Sequence, residues 1–195
     1  APGIAPGLGE VGLMLPYSPL HHLLLGAVGR PVVATSGNLS GEPVLTDPDQ
    51  AEMRLASVAD AFLHHNRPIQ RPADDPVWRL NAGRVRPIRL GRGNAPLELD
   101  VPLPIEAPTL AVGAFLKNTV ALAWKRRVVI SPHIGELDSP RAVEVFSQVC
   151  EDLQALYGIR AERIACDAHP DFPNSRRARD SGLPLTRVFH HEAHA

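Results

Sequence analysis

Apolar residues along this chain come mostly in short bursts broken by proline, glycine and charge, with one long exception. Val143, Phe146, Cys150, Leu153 and Tyr157 recur at the 3.6-residue spacing of a helix face. Ser139-Pro140 suits the start of that helix and Gly158 its C-terminal cap. A helix over Asp49 to Ser57 opens at Thr46-Asp47-Pro48, and a short one is expected around Leu20 to Ala27. Compact apolar runs predict strands at Pro31–Ala34, Val58–Leu63, Arg163–Asp167 and Leu185–Phe189. Val77–Leu80 and Val85–Leu90 flank Asn81-Ala-Gly-Arg84 as a hairpin. Thr109–Ala114, Asn118–Trp124 and Val128–Ser131 predict a three-strand meander that turns at Lys125-Arg126-Arg127. A short polar helix is expected over Asn174–Asp180. Strands followed by helix–strand alternation imply an α/β layer architecture.

Prolines at 96, 102, 104 and 108 interrupt the pattern. They divide the chain into a domain over 1–95, a proline-rich linker over 96–108 and a second domain over 109–195. Ala1-Pro2-Gly3 and Ala195 are expected to be the cut ends of a segment of something longer.

The 195 residues carry a net charge of −1 and are 44% apolar, enough for a core and against a disordered or nucleic-acid-binding arm. Cys150 and Cys166 are isolated in apolar stretches, which fits small buried hydrophobes and a reducing compartment such as the cytoplasm. No apolar run reaches the ~18 residues that span a membrane.

Three places offer chemistry. Pro31 to Ala34 ends in Thr35-Ser-Gly-Asn-Leu-Ser-Gly-Glu-Pro43, where Ser36 and Asn38 bring a hydroxyl and an amide beside glycines. Such a loop can face phosphate or carbonyl oxygens, or be an ordinary polar turn. Lys117-Asn118 sits at the turn between the first two strands of the second domain, as an anion contact or a solvated hairpin tip. His190 and His194 fall one helical turn apart in His190-His-Glu-Ala-His-Ala195, a spacing that lets two imidazoles share one metal ion. It is not the H-E-x-x-H signature, and two ligands alone do not complete a site. Adjacent His21-His22 and His64-His65 read as structural, and so does His169 in Asp167-Ala-His-Pro-Asp171. The hairpin arginines Arg79, Arg84, Arg86, Arg89 and Arg92 read either as a solvated sheet edge or as an anion-facing wall.

Several of these strings carry a resemblance. Ser36-x-Asn38-x-Ser40-Gly41 after an apolar run resembles the nucleotide-binding segment of YrdC-type domains. Ala34 to Pro43, Met14-Leu-Pro-Tyr-Ser-Pro19, Leu20 to Leu25, His65-Asn-Arg-Pro-Ile69 and Asp74-Asp75 resemble the HypF family of hydrogenase-maturation carbamoyltransferases. The chain differs in placing Pro76 where those relatives usually have serine. His133-Ile-Gly-Glu136 and the H-x-x-x-H ending continue the likeness over nearly the whole chain.

The resemblance implies a YrdC-like α/β portion followed by the first half of an actin/sugar-kinase-like (ASKHA) domain. It implies ATP, with Mg2+, and carbamoyl phosphate as reactants that form a carbamoyl adenylate. Ser36, Asn38, Lys117 and Asn118 would bind nucleotide or carbamoyl phosphate; His190 and His194 would hold iron or zinc. The carbamoyl group would pass to a C-terminal cysteine of the partner protein HypE. No catalytic residue is singled out. The family's further acidic metal ligand, and the basic residues that share the nucleotide site, fall outside these 195 residues, so the segment alone is expected to be inactive. Synthesis of threonylcarbamoyladenosine in tRNA, and an RNA-binding module, are the alternatives. The slightly acidic net charge speaks against nucleic acid.

Overall fold

The computed structural model describes residues 3–195, so Ala1 and Pro2, part of the expected cut end, lie outside it. It divides into two units, Ala1–Ser36 and Gly37–Ala195, each taken by itself.

The first unit holds one helix, α1 (Pro19–Val28). The Ser18 side chain accepts a hydrogen bond from the His21 amide, Pro19 sits in the first turn, and Gly29 ends the helix in the left-handed region at φ 66°. The apolar run Pro31–Ala34 is not a strand. A strand exists only through its ladder partner, and these residues pair with nothing among the described residues.

In the second unit α2 (Pro48–Leu55) starts as expected, with Asp47 accepting from the Gln50 amide at 2.9 Å. Val58–Leu63 forms no strand; Val58 and Leu63 are exposed. The hairpin forms as predicted from β1 (Val77–Asn81) and β2 (Arg84–Arg89), antiparallel, with Ala82 and Gly83 both at positive φ in a two-residue turn.

The main sheet corrects two expectations. The stretch read as a proline-rich linker is most of β3 (Leu97–Ala111), and the Lys125-Arg-Arg127 turn lies inside β4 (Ala121–Ile130). The meander is therefore one long antiparallel hairpin. Its register shifts between Asp100 and Ile105 and again between Ile105 and Thr109. Pro102, Pro104 and Pro108 fall in those interruptions, where the ladder does not need their missing N–H groups. Lys125, Arg126 and Arg127 are exposed on an edge strand, where charge is tolerated and blocks further pairing.

Behind this hairpin come α3 (Pro140–Tyr157), β5 (Arg163–Asp167), α4 (Pro173–Asp180), β6 (Leu185–Val188) and α5 (His190–His194). The sheet order is β4-β3-β5-β6, with β3–β5 and β5–β6 parallel. The helix α3 is capped by Ser139 and Gly158, as its sequence predicts. It buries Ala142, Phe146, Cys150 and Leu153 against Leu110, Val112, Val120, Leu122, Val129 and Ile164. The hydrophobic core thus lies within residues 110–178.

The β1–β2 hairpin is tied to the segment just past the end of β4. His133 reaches back to Asp74 at 2.8 Å, and its amide donates to the Leu90 carbonyl at 2.9 Å. Gly91 is required beside this tie, because a Cβ there would fall on the Asp74 carbonyl oxygen and the Pro76 nitrogen.

Candidate functional site

The parallel ladder of β5 and β6 places Asp167 opposite Val188, and the Ala168 amide donates to the Val188 carbonyl at 2.9 Å. Both strands therefore end at one edge of the sheet, where α/β folds collect ligands. Helix α5 begins two residues beyond Val188 and brings His190 and His194 together, as the i, i+4 spacing predicts. Their Nε2 atoms are 3.2 Å apart and their ring centroids 4.8 Å apart.

Two facing imidazole nitrogens at that distance need a shared proton or a cation between them. At this separation both imidazoles could reach one ion at the ~2.0–2.1 Å of a zinc–imidazole bond. The pair therefore fits the metal that the resemblance implies. On its other side His190 Nδ1 lies 3.4 Å from Asp167 Oδ2. Among the described residues, no three His, Cys, Asp or Glu side chains form a cluster that could hold one metal ion.

His169, His21 and His64 have other partners. The ring of His169 stacks on Phe172 at 4.0 Å, and His169 donates its amide to Asp167 Oδ1 at 2.8 Å. Tyr17 meets His21 edge-on, while His64 contacts Glu52 at 2.8 Å.

The Ser36–Asn38 segment is split by the division of the chain. Ser36 ends the first unit and is exposed. In the second unit Asn38 is half-buried and has both amide hydrogens engaged locally, on the Leu39 carbonyl at 2.8 Å and the Glu42 carbonyl at 2.9 Å. The Glu42 carboxylate takes Arg54 at 2.6 and 2.8 Å, which braces the loop against α2. Asn38 thus shapes its loop, and the sequence pattern alone does not distinguish that role from ligand binding.

The β3–β4 connection separates the other pair in the same way. Lys117 is exposed, at φ 48°, where a lysine is carried by the turn. Asn118 is buried, and its amide donates to the carbonyls of Val112 at 2.9 Å and Ala114 at 2.6 Å. Asn174 of α4 donates into the same turn, to the Gly113 carbonyl at 2.5 Å. The side-chain oxygens of both asparagines are buried without a protein partner.

The sequence reading missed the role of Asp74-Asp75. The hydrogen bond from His133, opposed by burial and helped by the charge of Arg89, holds the Asp74 carboxyl below its ordinary range. Arg89 Nε donates to the Asp75 carbonyl at 3.0 Å, and Arg92 meets the Asp75 carboxylate at 3.3 Å. Two of the hairpin arginines are therefore engaged with the acidic pair. The face of α3 around Val143 and Ser147, with Arg177 of α4, lines an open groove that contains none of the candidate residues.

The family and structure matches define an α/β segment that joins a YrdC-like part to a Kae1-like part of the actin/sugar-kinase type. Residues 1–91 match the Sua5/YciO/YrdC family model, described as telomere recombination, and residues 104–195 match the HypF Kae1-like domain. The chain is 44% identical over 191 residues to the carbamoyltransferase HypF of Synechocystis, covering 98% of this chain and 25% of that protein. It is 44% identical over 197 residues to the carbamoyltransferase HypF of Rhodobacter capsulatus, covering 98% and 26%. A crystal structure of full-length HypF in the phosphate- and nucleotide-bound form superposes with a TM-score of 0.93 at 40% identity, over 98% of this chain and 26% of that one. The HypF of T. kodakarensis gives 0.89 at 35% identity, over 97% and 25%. The chain matches a fragment of HypF and spans about a quarter of the length of the relatives it resembles.

Proposed function

We propose that these residues serve a carbamoyltransferase of nickel–iron hydrogenase maturation. The supporting observation is the His190–His194 pair at the edge of a Kae1-like sheet, in a chain 44% identical to proteins named carbamoyltransferase. In the parent protein carbamoyl phosphate gives up its phosphate to water, and the YrdC-like part joins the resulting carbamate to the α-phosphate of ATP, as its Mg2+ complex, releasing pyrophosphate and leaving a carbamoyl adenylate. The Kae1-like part then presents that intermediate to the C-terminal cysteine thiolate of HypE. The thiolate sulfur bonds to the carbamoyl carbon, and AMP departs with the electron pair of the broken C–O bond.

The resemblance, together with where each residue sits, supports the following roles. The Ser36 hydroxyl contacts phosphate or carbamoyl oxygen. Asn38 keeps its glycine-flanked loop in shape for that contact. Lys117, exposed at its turn, supplies positive charge to the nucleotide phosphates, and Asn118 fixes the turn from beneath. His190 and His194 hold iron or zinc through Nε2. When bound, that ion supplies a fixed positive charge beside the transferring group.

The reading is tested in the full-length protein. Carbamoyl-phosphate-dependent exchange of pyrophosphate into ATP is expected, and its absence from metal-replete protein rejects the first step. His190→Ala is expected to lower the metal content measured by elemental analysis, and unchanged content rejects the metal assignment.

A further inference from the structure

We propose that Asp167 is a positioning residue that sets the tautomer and orientation of His190 for binding a divalent cation. The inference rests on the reading of His190 and His194 as metal ligands and adds a residue to it. The two nitrogens of the His190 ring face different partners. Nε2 meets His194 Nε2 at hydrogen-bond distance, 3.2 Å, and Nδ1 lies 3.4 Å from Asp167 Oδ2, an ion-pair distance without hydrogen-bond geometry. A carboxylate at Nδ1 keeps the proton there and leaves the Nε2 lone pair free for a cation. Asp167 does not converge with the two imidazoles on one point, so it acts through His190 and not as a third ligand.

The carboxylate is itself held in place. Its side chain is only 9% exposed, whereas that of His190 is 66% exposed. Its Oδ1 is taken by the His169 amide at 2.8 Å, and its backbone carbonyl accepts from the Ser175 hydroxyl at 3.0 Å. The ladder to β6 fixes its neighbour, the Ala168 amide, on Val188. Oδ2 is thus the oxygen left nearest the more exposed imidazole. A rigid acceptor beneath an exposed ring is what ligand orientation requires, because the ring alone would lose rotamer freedom on binding. The 3.4 Å gap is longer than a normal N–H···O bond, and closure to about 2.9 Å on metal loading is part of the proposal.

Asp167→Asn separates this role from a structural one. Asparagine keeps an oxygen for the His169 amide but turns an NH2 toward His190 Nδ1. That donor favours the Nε2–H tautomer, which blocks the metal-binding lone pair. In full-length protein carrying 15N-labelled histidine, stripped of metal, His190 is expected as the Nδ1–H tautomer in the wild type and as Nε2–H in Asp167→Asn. Zn2+ affinity, measured by competition with a chromophoric chelator, is expected to fall roughly 10–100-fold in the variant. An Nε2–H tautomer in the wild-type protein overturns the proposal without any need for the variant to fold. Unchanged affinity and tautomer in Asp167→Asn, beside a His190→Ala variant that has lost its metal, overturn the role of Asp167 alone. Full Zn2+ binding by His190→Ala overturns the metal reading and this inference with it.

Discussion

His133 and Asp74, 59 positions apart in sequence, meet at 2.8 Å between Nδ1 and Oδ2. Asp74 precedes the β1–β2 hairpin and His133 comes after β4, so one hydrogen bond closes the path between the region matched to YrdC and the region matched to Kae1. The Asp74 carbonyl also accepts the Arg92 amide at 2.9 Å.

The tie has a definite pH dependence. The Asp74 pKa is depressed on folding, so its stabilisation is present above the ordinary carboxylate value of ~3.9 and is lost as pH falls through the folded value. His133→Ala is predicted to cost about 1 kcal/mol locally at neutral pH. That corresponds to roughly fivefold faster hydrogen exchange at the Arg92 amide. The ratio of variant to wild-type exchange should shrink toward one below about pH 4. An equal ratio at pH 7 and pH 3 would reject the linkage.

Burial pushes the Cys150 thiol up to about 12, against the opposing pull of Arg177. The thiolate is the reactive form, and almost none exists at neutral pH. Cys150 is therefore predicted to resist a thiol reagent in the native protein and to react once urea opens the core. Stoichiometric labelling of Cys150 without denaturant would contradict its place on the buried face of α3.

Asn118→Ala removes a donor from the buried Val112 carbonyl and another from the part-buried Ala114 carbonyl. The expected cost is about 2 kcal/mol, with Asn174 still giving partial cover to Val112. The urea midpoint for exposure of Cys150 should fall accordingly. If Asn118 served only as a phosphate contact, that midpoint would not move.

Much of this architecture is readable from residues alone, and the failures share a cause. Local signals suffice where local chemistry decides. Ser139-Pro140 and Gly158 bound α3, Asp47-Pro48 opens α2, and Ala82-Gly83 turns the hairpin. The i, i+4 spacing brings His190 to His194. Non-local pairing defeats the same reasoning at β3, whose prolines signal a linker until β4 shows which N–H groups the ladder omits. It fails too at Pro31–Ala34 and Val58–Leu63, which have strand composition but no described partner. The Asp74–His133 and Asp167–His190 contacts depend on tertiary placement and strand register. Asn38 and Asn118 stand out in the sequence, but ligand contact and loop bracing draw on the same side-chain chemistry.

The run of β3 has a practical consequence for dissecting the molecule. A cut anywhere between the two family matches, from 92 to 103, either falls within this strand or parts it from the Asp74 anchor. Starting the downstream piece at 104 would strip Val128–Ile130 of Leu97–Leu99 and open a bare backbone rim beside the buried Val129. A division at that seam would yield a sticky, self-associating piece even with its His190–His194 pair intact.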